Sequence, residues 1–426
     1  MARVLWLGDA GCTTGFGRVT HAIGDRLVTD YGHDVHVLAV NYDGDYWPTP
    51  MKLYRPNKLM QNDVYGQTRF VEILAEVMPD IVVMLNDPYV ILKFLLRNKY
   101  DPEYHLARTR PILAYMPVDG VNWPDTWTHL PEFISSLPPI PGGTGPRLRP
   151  VTMTKFGQSI IGSDLVYHGV DTSKFWPVSY QRPMTTSAGT RVTSRTEAKK
   201  VLGLDPDDFL VLRVDRNSQR KNYADTWRAL VPVMKRHSNV RAWFHCRAEG
   251  DSLEIPQLLN RDQETKDRFR FPGDFNTKKG WGDDDLAVLY NAADVFVTTS
   301  WGEGFGLTIA EALATEVPVI AQNVSSIPEV VGPGGLLCEP ERHITVESGE
   351  DQWLPDVSAF TEAIEKLYAS SGARRTLGEA GRQHITALAS WDTAARQFHE
   401  LIEDTVASAP EPFTGGEREQ EPAAVG

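Results

Sequence analysis

The chain has 426 residues, of which 41% are hydrophobic and 23% charged, and its formal net charge is −13. This length predicts two or three domains, and the composition is typical of a globular protein. The acidic balance and the lack of a long basic run argue against broad binding of nucleic acids or anionic membranes over the whole surface. We therefore expect no stable nucleic-acid binding.

Three scattered cysteines, Cys12, Cys246 and Cys338, form no Cys-x-x-Cys pair. They predict neither a zinc site nor a disulfide framework, and a reducing cytoplasm is the expected location. The most apolar stretch, residues 81–96, is interrupted by an Asn-Asp-Pro sequence and a lysine. Such a stretch does not predict a transmembrane segment.

Short β-branched runs alternate with helical patterns along the chain. The predicted strands are residues 3–7, 35–40, 81–85, 112–116, 151–154, 209–214, 240–246, 268–271, 294–299 and 317–321. They are continuous apolar runs, which are typical of parallel strands covered on both faces. Strand–helix alternation predicts right-handed crossovers. We therefore expect an α/β protein of two Rossmann-like, doubly wound parallel-sheet domains that face a central cleft.

The strand–helix pattern starts again midway, which predicts an N-terminal domain at 1–176 and a C-terminal domain at 177–390. Just after this boundary, the Ser/Thr/Arg-rich residues 179–198 are predicted to be a linker or a mobile loop. Residues 391–406 have the pattern of an amphipathic helix. Residues 407–426 lack apolar periodicity and are predicted to be disordered. Ligands of open α/β sheets bind beyond the carboxyl ends of the strands, so the motifs below should face the cleft.

A glycine-rich turn follows the first strand. Gly15, Phe16, Gly17 and Arg18 are expected to begin a helix, whose free N–H groups attract an anion. The dinucleotide fingerprint is incomplete, because Thr20 stands where a third small residue is needed. Ligand contact and a plain strand-to-helix turn both remain open interpretations.

Asp119 follows the fourth predicted strand, with Tyr115, Trp123 and Trp127 nearby. A carboxylate beside aromatic rings is typical of sugar sites, since the acid accepts hydrogen bonds from hydroxyls. An aromatic loop that packs on the domain surface is the equally open alternative. His168 lies at the predicted domain junction, where a lone histidine is more often a structural hydrogen-bonding residue than a catalyst.

Two cations follow the first strand of the second domain. Arg216 and Lys221 are five positions apart in "RNSQRKN", with Arg220 as a possible substitute. A loop there opens into the cleft, and two converging cations suit a diphosphate. The alternative is a solvated basic loop.

Glu303 and Glu311 are separated by "GFGLTIA", where a buried strand meets a helix. Gly304 and Gly306 allow a sharp turn and the close approach of a ligand, and the first N–H groups of the helix suit a phosphate or a sugar hydroxyl. Along a helix the two glutamates would lie about 12 Å apart, too far for the paired carboxylates of a retaining glycosidase. They more plausibly bind two parts of one elongated ligand, with a surface glutamate pair as the alternative.

With these residues in place, the chain resembles the retaining GT-B glycosyltransferases of family 4. "EGFGLTIAEALATEVPVIA" is similar to the family's Glu-x7-Glu signature, and "RNSQRKN" to its Arg-x4-Lys element. "LAVLYNAADVFVTTSW" resembles the segment before the signature. "HGVDTSKFWP" resembles the interdomain element, with His168 in place of the usual Asn. The resemblance covers most of the chain and is strongest in its second half.

The resemblance implies an enzyme that transfers a hexose from a nucleotide-diphosphate sugar with retention of configuration. Glu311 would hold the ribose hydroxyls, and Arg216 with Lys221 would neutralise the departing diphosphate. Glu303 and the backbone of Gly304, Phe305, Gly306 and Leu307 would hold the hexose.

It also implies that the turn at Gly15, Phe16 and Gly17 approaches the donor, that the N-terminal domain supplies the acceptor site, and that the last helix crosses back onto that domain. No metal and no cofactor are expected, since the fixed cations supply the charge. Many relatives have a histidine after the fourth strand, and Asp119 is the candidate for a polar contact there.

Three alternatives stay open from the sequence. A GT-B nucleotide-sugar epimerase would use the same nucleotide site with other acid–base groups. A non-catalytic nucleotide-binding module would bind without turnover. An NAD-dependent dehydrogenase ranks last, because the glycine fingerprint is incomplete. The donor base, the sugar and the acceptor, whether glycan, lipid, protein or small molecule, do not follow from the sequence.

Overall fold

The computed structural model of the chain describes residues 1–56, 63–96, 110–130, 132, 148–273 and 280–408. The predicted disordered tail lies outside these residues from position 409 onward. Residue 407, its first predicted position, is instead the last residue of a helix.

The first sheet has seven parallel strands in the order β3-β2-β1-β4-β5-β6-β7. Its strands are β1 (Arg3–Gly8), β2 (Asp34–Ala39), β3 (Lys52–Tyr54), β4 (Ile81–Leu85), β5 (Ile112–Tyr115), β6 (Leu148–Thr152) and β7 (Asp164–Leu165). β6 begins three residues before its predicted start, because Leu148 pairs with Ile112 although an arginine and a proline follow it.

The second sheet has six parallel strands in the order β12-β11-β10-β13-β14-β15. Its strands are β10 (Phe209–Val214), β11 (Val240–His245), β12 (Phe269–Arg270), β13 (Val295–Thr298), β14 (Val319–Gln322) and β15 (Gly335–Cys338). Both sheets therefore have the strand order of the Rossmann fold, in which the direction of winding reverses at β1/β4 and at β10/β13. The predicted fold class is confirmed.

Fourteen α-helices lie in the part of the chain that the structure describes. They are α1 (Gly15–Thr29), α2 (Gln67–Val77), α3 (Pro88–Leu96), α4 (Asp125–Thr128), α5 (Lys155–Ile161), α6 (Arg195–Val201), α7 (Tyr223–Arg236), α8 (Ile255–Leu259), α9 (Asp283–Ala292), α10 (Leu307–Ala314), α11 (Ile327–Val331), α12 (Val357–Ala369), α13 (Ser371–Leu388) and α14 (Trp391–Ala407). None of these described helices combines the length and hydropathy needed to span a bilayer.

The central strands are buried along their whole length. Every residue of β4 and β10 is buried, as expected for parallel strands with helices on both faces. Separate apolar clusters cover the two faces of the first sheet, and one of these clusters continues into the second lobe. The sheets thus hold the loops at their carboxyl ends on rigid supports.

The segment predicted as a linker or mobile loop is ordered, so that prediction is wrong. It contains a two-stranded antiparallel pair, β8 (Met184–Thr185) with β9 (Arg191–Val192), followed by α6. Ser194 caps α6 by accepting the N–H of Glu197. The short strands escaped prediction because their apolar residues are few.

Two elements join the lobes. α14 packs on α1, and Phe398 of α14 lies against Trp6 and Tyr115 of the first sheet. On the other side, β16 (Pro340–Thr345) and β17 (Asp351–Pro355) form an antiparallel hairpin of the C-terminal lobe. Its residue Asp351 exchanges both backbone hydrogen bonds with Val121 of the N-terminal lobe.

Candidate active site

The cleft lies at the carboxyl ends of the central strands of both sheets. The loop with Arg216 and Lys221 leaves β10, and the Glu303 turn leaves β13, its neighbour in the sheet. From the other lobe, the residues that follow β1, β4 and β5 approach the same space. Both winding reversals therefore face one another, which is the general position of a ligand site in open α/β sheets.

Lys221 lies between two carboxylates. Its Nζ is 2.5 Å from Glu303 Oε1 and 2.7 Å from Asp215 Oδ1. Glu303 is 6% exposed and Asp215 is 8% exposed. The short 3₁₀ turn Gln219–Lys221 places the lysine there. A desolvated cation with two anions is held in one position before any ligand binds.

Arg220, rather than Arg216, is the arginine that the structure brings to Glu303. Its guanidinium lies 3.4 Å from Glu303 and 3.1 Å from Asp119 of the other lobe, and it also donates to the Gly302 carbonyl. Burial would raise the pKa of Glu303, but Lys221 and Arg220 together hold it at about 2. Glu303 is therefore ionised at every physiological pH.

Arg216 is exposed, and within the described residues it forms no ion pair. It lies close enough to the N-terminal lobe to influence the Cys12 thiol electrostatically. Arg216 is thus not part of the ion-pair cluster that Lys221 forms with Glu303 and Asp215. Arg216 is instead the cation of the loop that can turn toward a ligand without breaking an existing pair.

Arg213 was missed by the sequence analysis. It is fully buried in β10 and donates to Thr226, to Thr299 and to the backbone carbonyls of Lys221 and Asn222. These bonds fix the loop that carries Lys221. The signal was present, since a charged residue inside an apolar strand needs buried partners.

The Gly302–Gly306 turn is shaped by contact with the other lobe as well as by the helix that follows. A Cβ on Gly304 would lie 2.5 Å from Pro117, and one on Gly302 would lie 1.9 Å from the Asp119 carbonyl oxygen. Gly306 has φ +95° and precedes α10, a conformation that favours glycine. Within the described chain, the N–H groups of Gly304, Phe305 and Gly306 have no acceptor.

The side chain of Phe305 is 2% exposed and packs on His168, so only its backbone faces the cleft. The backbone of Glu303 is tied down, because its N–H donates to Ser325 and its carbonyl accepts from Ser326. Leu307, the first residue of α10, is partly buried against the core. The turn therefore offers a ligand a rigid row of backbone donors.

Glu311 is held by an arginine of the opposite lobe. Arg18 donates to Glu311 Oε1 at 2.6 Å and to Asp283 at 2.6 Å, while Tyr290 donates to Glu311 Oε2 at 2.8 Å. Burial raises the pKa of Glu311, and Arg18 and Tyr290 oppose that rise. The sequence analysis placed Arg18 at the helix start but did not foresee this ion pair across the cleft.

The turn before α1 faces the start of α10. A Cβ on Gly15 would lie 3.8 Å from Leu307, and one on Gly17 would lie 2.6 Å from the Cys12 carbonyl oxygen. Thr14 caps α1 by accepting the Gly17 N–H. Gly15 is thus near the helix that carries Glu311, and Phe16 and Gly17 follow it in the first turn of α1.

The aromatic residues near Asp119 do not form a sugar platform around it. Tyr115 is fully buried, and its hydroxyl donates to the Val166 carbonyl. Trp123 and Trp127 pack edge to face on each other. The structure therefore leaves Asp119 as the polar group of this loop, paired with Arg220.

The expectation that His168 is a structural hydrogen-bonding residue is wrong. Neither ring nitrogen has a hydrogen-bond partner among the described residues, and the ring packs between Tyr115, Phe305 and Trp391. Burial lowers the pKa of His168 to about 3. The imidazole serves as an apolar ring that joins the two lobes and α14.

A cavity of about 410 Å³ opens beside Glu311. Its walls include Arg18 and His21 of α1, Phe175 of the segment between the lobes, and Trp281. Cavities of this volume hold small molecules. Because Arg18 and Glu311 line the same space, a ligand that enters it meets both.

One group of possible metal ligands exists in the described part of the chain, away from the cleft. Ligand atoms of His33, His399 and Glu403 lie within 4.8 Å of one another. However, the Ala2 N–H donates to His33 Nδ1, so neutral His33 carries its proton on Nε2 and donates it to His399. The nitrogen that faces the group thus has no lone pair for a metal, and the arrangement fits a hydrogen-bonded histidine pair.

Comparison with known proteins agrees with this architecture. The family described as "Glycosyl transferases group 1" matches residues 209–370. O-antigen chain mannosyltransferase B of Escherichia coli is 43% identical over 22% of this chain and 28% of its own length. Lipopolysaccharide core biosynthesis mannosyltransferase LpsB of Rhizobium meliloti is 30% identical over 54% of this chain and 60% of its own. The aligned segments thus span less than two thirds of these relatives.

Among solved structures, Anabaena HepE in complex with UDP-glucose superposes with a TM-score of 0.66. It covers 95% of this chain and 100% of its own at 16% identity, a likeness of fold. The matched residues 209–370 contain the Arg216–Lys221 loop and both glutamates. The chain therefore has the GT-B fold, and its residues 209–370 are similar to the group 1 glycosyltransferases.

Proposed function

We propose that the protein is a glycosyltransferase that moves a hexose from a nucleotide-diphosphate sugar to an acceptor hydroxyl, with retention of configuration. The observation that carries the proposal is the arrangement at the start of α10. There Lys221, the Glu303 carboxylate and three free backbone N–H groups face the other lobe across the cleft. Fixed cations and oriented N–H groups stabilise a departing diphosphate.

The roles of the site residues follow from that arrangement. Lys221 and Arg216 bind the diphosphate, and Arg216 is free to turn toward it. Glu303 and the backbone of residues 304–307 hold the hexose, and the N–H groups of residues 304–306 also donate to the β-phosphate that is bonded to it. Glu311 binds the ribose hydroxyls once Arg18 releases it.

On the N-terminal side, the turn at Gly15, Phe16 and Gly17 closes over the donor, since it lies against the start of α10. Asp119 fixes Arg220 beside the hexose pocket. These roles are supported by the distances above and by the motif at each position.

For the donor, we propose a mannose or glucose nucleotide. The support is that the two relatives described above are named as mannosyltransferases and that HepE was solved with UDP-glucose. We propose that catalysis needs no metal, because Lys221 and the arginines of its loop supply the positive charge. Nucleotide sugars and three free thiols fit a cytoplasmic location.

We also propose domain limits at 176/177 and 390/391. The first sheet ends with β7 and the second begins with β10, so the boundary falls in the ordered segment between them. The contact of α14 with α1 supports assigning residues 391–406 to the N-terminal lobe.

The proposal is tested by incubating the protein with GDP-mannose, UDP-glucose and ADP-glucose, with and without EDTA. We expect release of nucleoside diphosphate from one donor, with a first-formed free sugar of the same anomeric configuration as the donor by proton NMR. Release that stops on chelation would remove the metal-free mechanism. Absence of release with every donor, even with acceptor sugars added, would contradict the function itself.

A further inference from the structure

Three carboxylates meet at the cleft edge of the N-terminal lobe. Asp87 follows β4 and Asp119 follows β5, and these two strands are neighbours in the sheet. The third, Glu350, comes from the opposite lobe, at the start of β17. Of the three, the sequence analysis singled out only Asp119.

The hairpin β16–β17 brings Glu350 to this edge. Asp351 pairs with Val121 through two backbone hydrogen bonds, of 2.8 and 2.9 Å, and accepts a third from Asn122 at 2.8 Å. A Cβ on Gly120 would lie 2.9 Å from Glu350 Cγ, so the glutamate packs directly against the residue after Asp119. The contact is therefore built into the way the two lobes meet.

Two of the three carboxylates have oxygens without a donor. Glu350 is 6% exposed, and its Oε1 accepts from Gln352 at 3.5 Å, whereas its Oε2 has no hydrogen bond. Within the described chain, the Asp87 carboxylate also accepts none, whereas Asp119 has Arg220. A buried carboxylate oxygen without a donor is costly, so we expect a ligand to supply a donor to Glu350 Oε2, beside the half-buried Asp87 carboxylate that also has none.

The electrostatics agree with this view. Burial raises the pKa of Asp87 to about 6, and the charges of Asp119, Asp9 and Glu350 add to the rise while that of Arg220 opposes it. The space around Asp87 is thus negative. A phosphate or carboxylate group on a ligand would be repelled there, and neutral hydrogen-bond donors would be attracted.

A single cation does not account for the cluster. In the described residues, only His33, His399 and Glu403 form a group whose ligand atoms all lie within 4.8 Å. The oxygens of Asp87, Asp119 and Glu350 are therefore spread more widely than the ligands of one ion. Their spacing suits the several hydroxyls of a larger molecule.

We propose that Asp87 and Glu350, beside Asp119, form the acceptor subsite and that it takes an uncharged sugar through its hydroxyl groups, not a phosphorylated one. The subsite is completed only when the β16–β17 hairpin meets the N-terminal lobe, so closure and acceptor binding are linked. That this sugar is the acceptor rests on the proposed function, whereas its binding to the subsite does not depend on that function.

The test is saturation-transfer NMR of the full chain with methyl glycosides of mannose, glucose and galactose and with the matching hexose 6-phosphates, with GDP or UDP present. We expect at least one methyl glycoside to bind about tenfold more tightly than its phosphate. Glu350→Gln and Asp87→Asn should each weaken glycoside binding about tenfold. Each should also reduce the difference in affinity between the glycoside and its phosphate. Glu347→Gln, on the exposed turn of the same hairpin, should stay within twofold.

Thermal melting shows whether the variants fold, since removing a carboxylate that has no cation partner among the described residues should leave the melting temperature unchanged or higher. The proposal is overturned if the hexose phosphates bind as tightly as the glycosides or more tightly, or if neither probe binds. It is also overturned if both variants bind like the parent protein, or if binding requires added Mn²⁺. Diphosphate release from the donor is measured separately. If the glycoside binds but no diphosphate is released, only the proposed function is contradicted. If diphosphate is released but no glycoside binds, only the subsite is contradicted.

Discussion

At the level of single residues, the cleft is held by charges that have already found partners. Lys221 touches Glu303 and Asp215, Arg220 touches Glu303 and Asp119, and Arg18 touches Glu311. A ligand that enters finds these groups positioned, which limits the reorganisation needed in the transition state. The same pairing makes each charge costly to remove alone.

Lys221→Ala tests this cost. It leaves Glu303 with Arg220 only, so we expect unfolding free energy to fall by about 3 kcal/mol and binding of nucleoside diphosphate to weaken at least tenfold. Urea denaturation and calorimetry measure the two effects. Lys200→Ala, at an exposed position of α6, should change neither.

The double variant Lys221→Met with Glu303→Gln separates stability from binding. Removing both charges should recover much of the lost stability, because Asp215 keeps Arg213 and Arg220 keeps Asp119 as partners. Binding should stay weak. Recovery of nucleotide binding in this variant would show that the lysine does not contact the diphosphate.

The sequence predicted Lys221, Glu303 and Glu311 because each lies in a spaced motif at the end of a strand. It did not predict the roles of Arg18, Arg213 and Arg220. Arg18 and Arg220 act across the cleft, so their partners are hundreds of positions or a whole lobe away in sequence. No local pattern encodes such a contact, and only the packed structure reveals it.

At the level of elements, α14 is the part that ties the chain ends together. Its Phe398 is fully buried between Trp6 and Tyr115, with ring centroids at 5.6 and 4.9 Å. The helix is amphipathic and Ser390 caps it by accepting the Thr393 N–H. Its burial therefore couples the stability of the N-terminal lobe to a segment near the other end of the chain.

Phe398→Ala should lower the unfolding free energy by about 3–5 kcal/mol, since it opens a cavity in an aromatic cluster. Arg396→Ala is the matched control on the same helix. It removes only an exposed pair with Glu400 and should cost less than about 0.5 kcal/mol. A loss of equal size in both variants, measured by urea denaturation, would contradict the packing described here.

Elements differed in how well the sequence predicted them. The central strands were found because parallel strands buried on both faces are continuous apolar runs. The β16–β17 hairpin was not, because most of β16 is exposed and polar. It also pairs with the other lobe through Val121 and Asp351, a contact that a single sequence does not show.

At the level of the whole molecule, nucleotide binding competes with a contact between lobes. Both oxygens of Glu311 are occupied, one by Arg18 and one by Tyr290. A ribose diol must replace at least the arginine. The lobes therefore start from a closed pairing that the ligand has to exchange for its own.

Arg18→Gln should consequently lower the dissociation constant for nucleoside diphosphate by about fivefold, since the ligand no longer competes with the arginine. Arg26→Gln, on the same helix and paired with exposed Asp392, should have no effect. Calorimetry distinguishes the two. Weaker binding in Arg18→Gln would mean that the arginine contacts the nucleotide directly.

Buried histidines make the fold sensitive to acid. Burial lowers the pKa of His168 to about 3 and that of His245 to about 4, below the unfolded value near 6.5. The folded state therefore disfavours the charged forms, so stability is complete above pH 6.5 and falls as the pH drops below it. We expect each of these histidines to lower the unfolding free energy by about 2 kcal/mol between pH 7 and pH 5.

Asp87 acts in the opposite direction, because its raised pKa favours the folded state as the pH falls below about 6. Urea midpoints at pH 7.5, 6 and 5 measure the net loss. His168→Phe keeps an aromatic ring in the same cluster and should reduce the acid sensitivity by the share of one histidine. An unchanged pH profile in that variant would refute the assignment.

The most direct test of the account is a crystal structure with the nucleoside diphosphate that the donor screen identifies. We predict the β-phosphate within hydrogen-bond distance of Lys221 Nζ and of the N–H groups of residues 304–306, with the ribose on Glu311 and Arg18 displaced. A nucleotide bound elsewhere, or one that leaves the Lys221–Glu303 region empty, would contradict the proposed site.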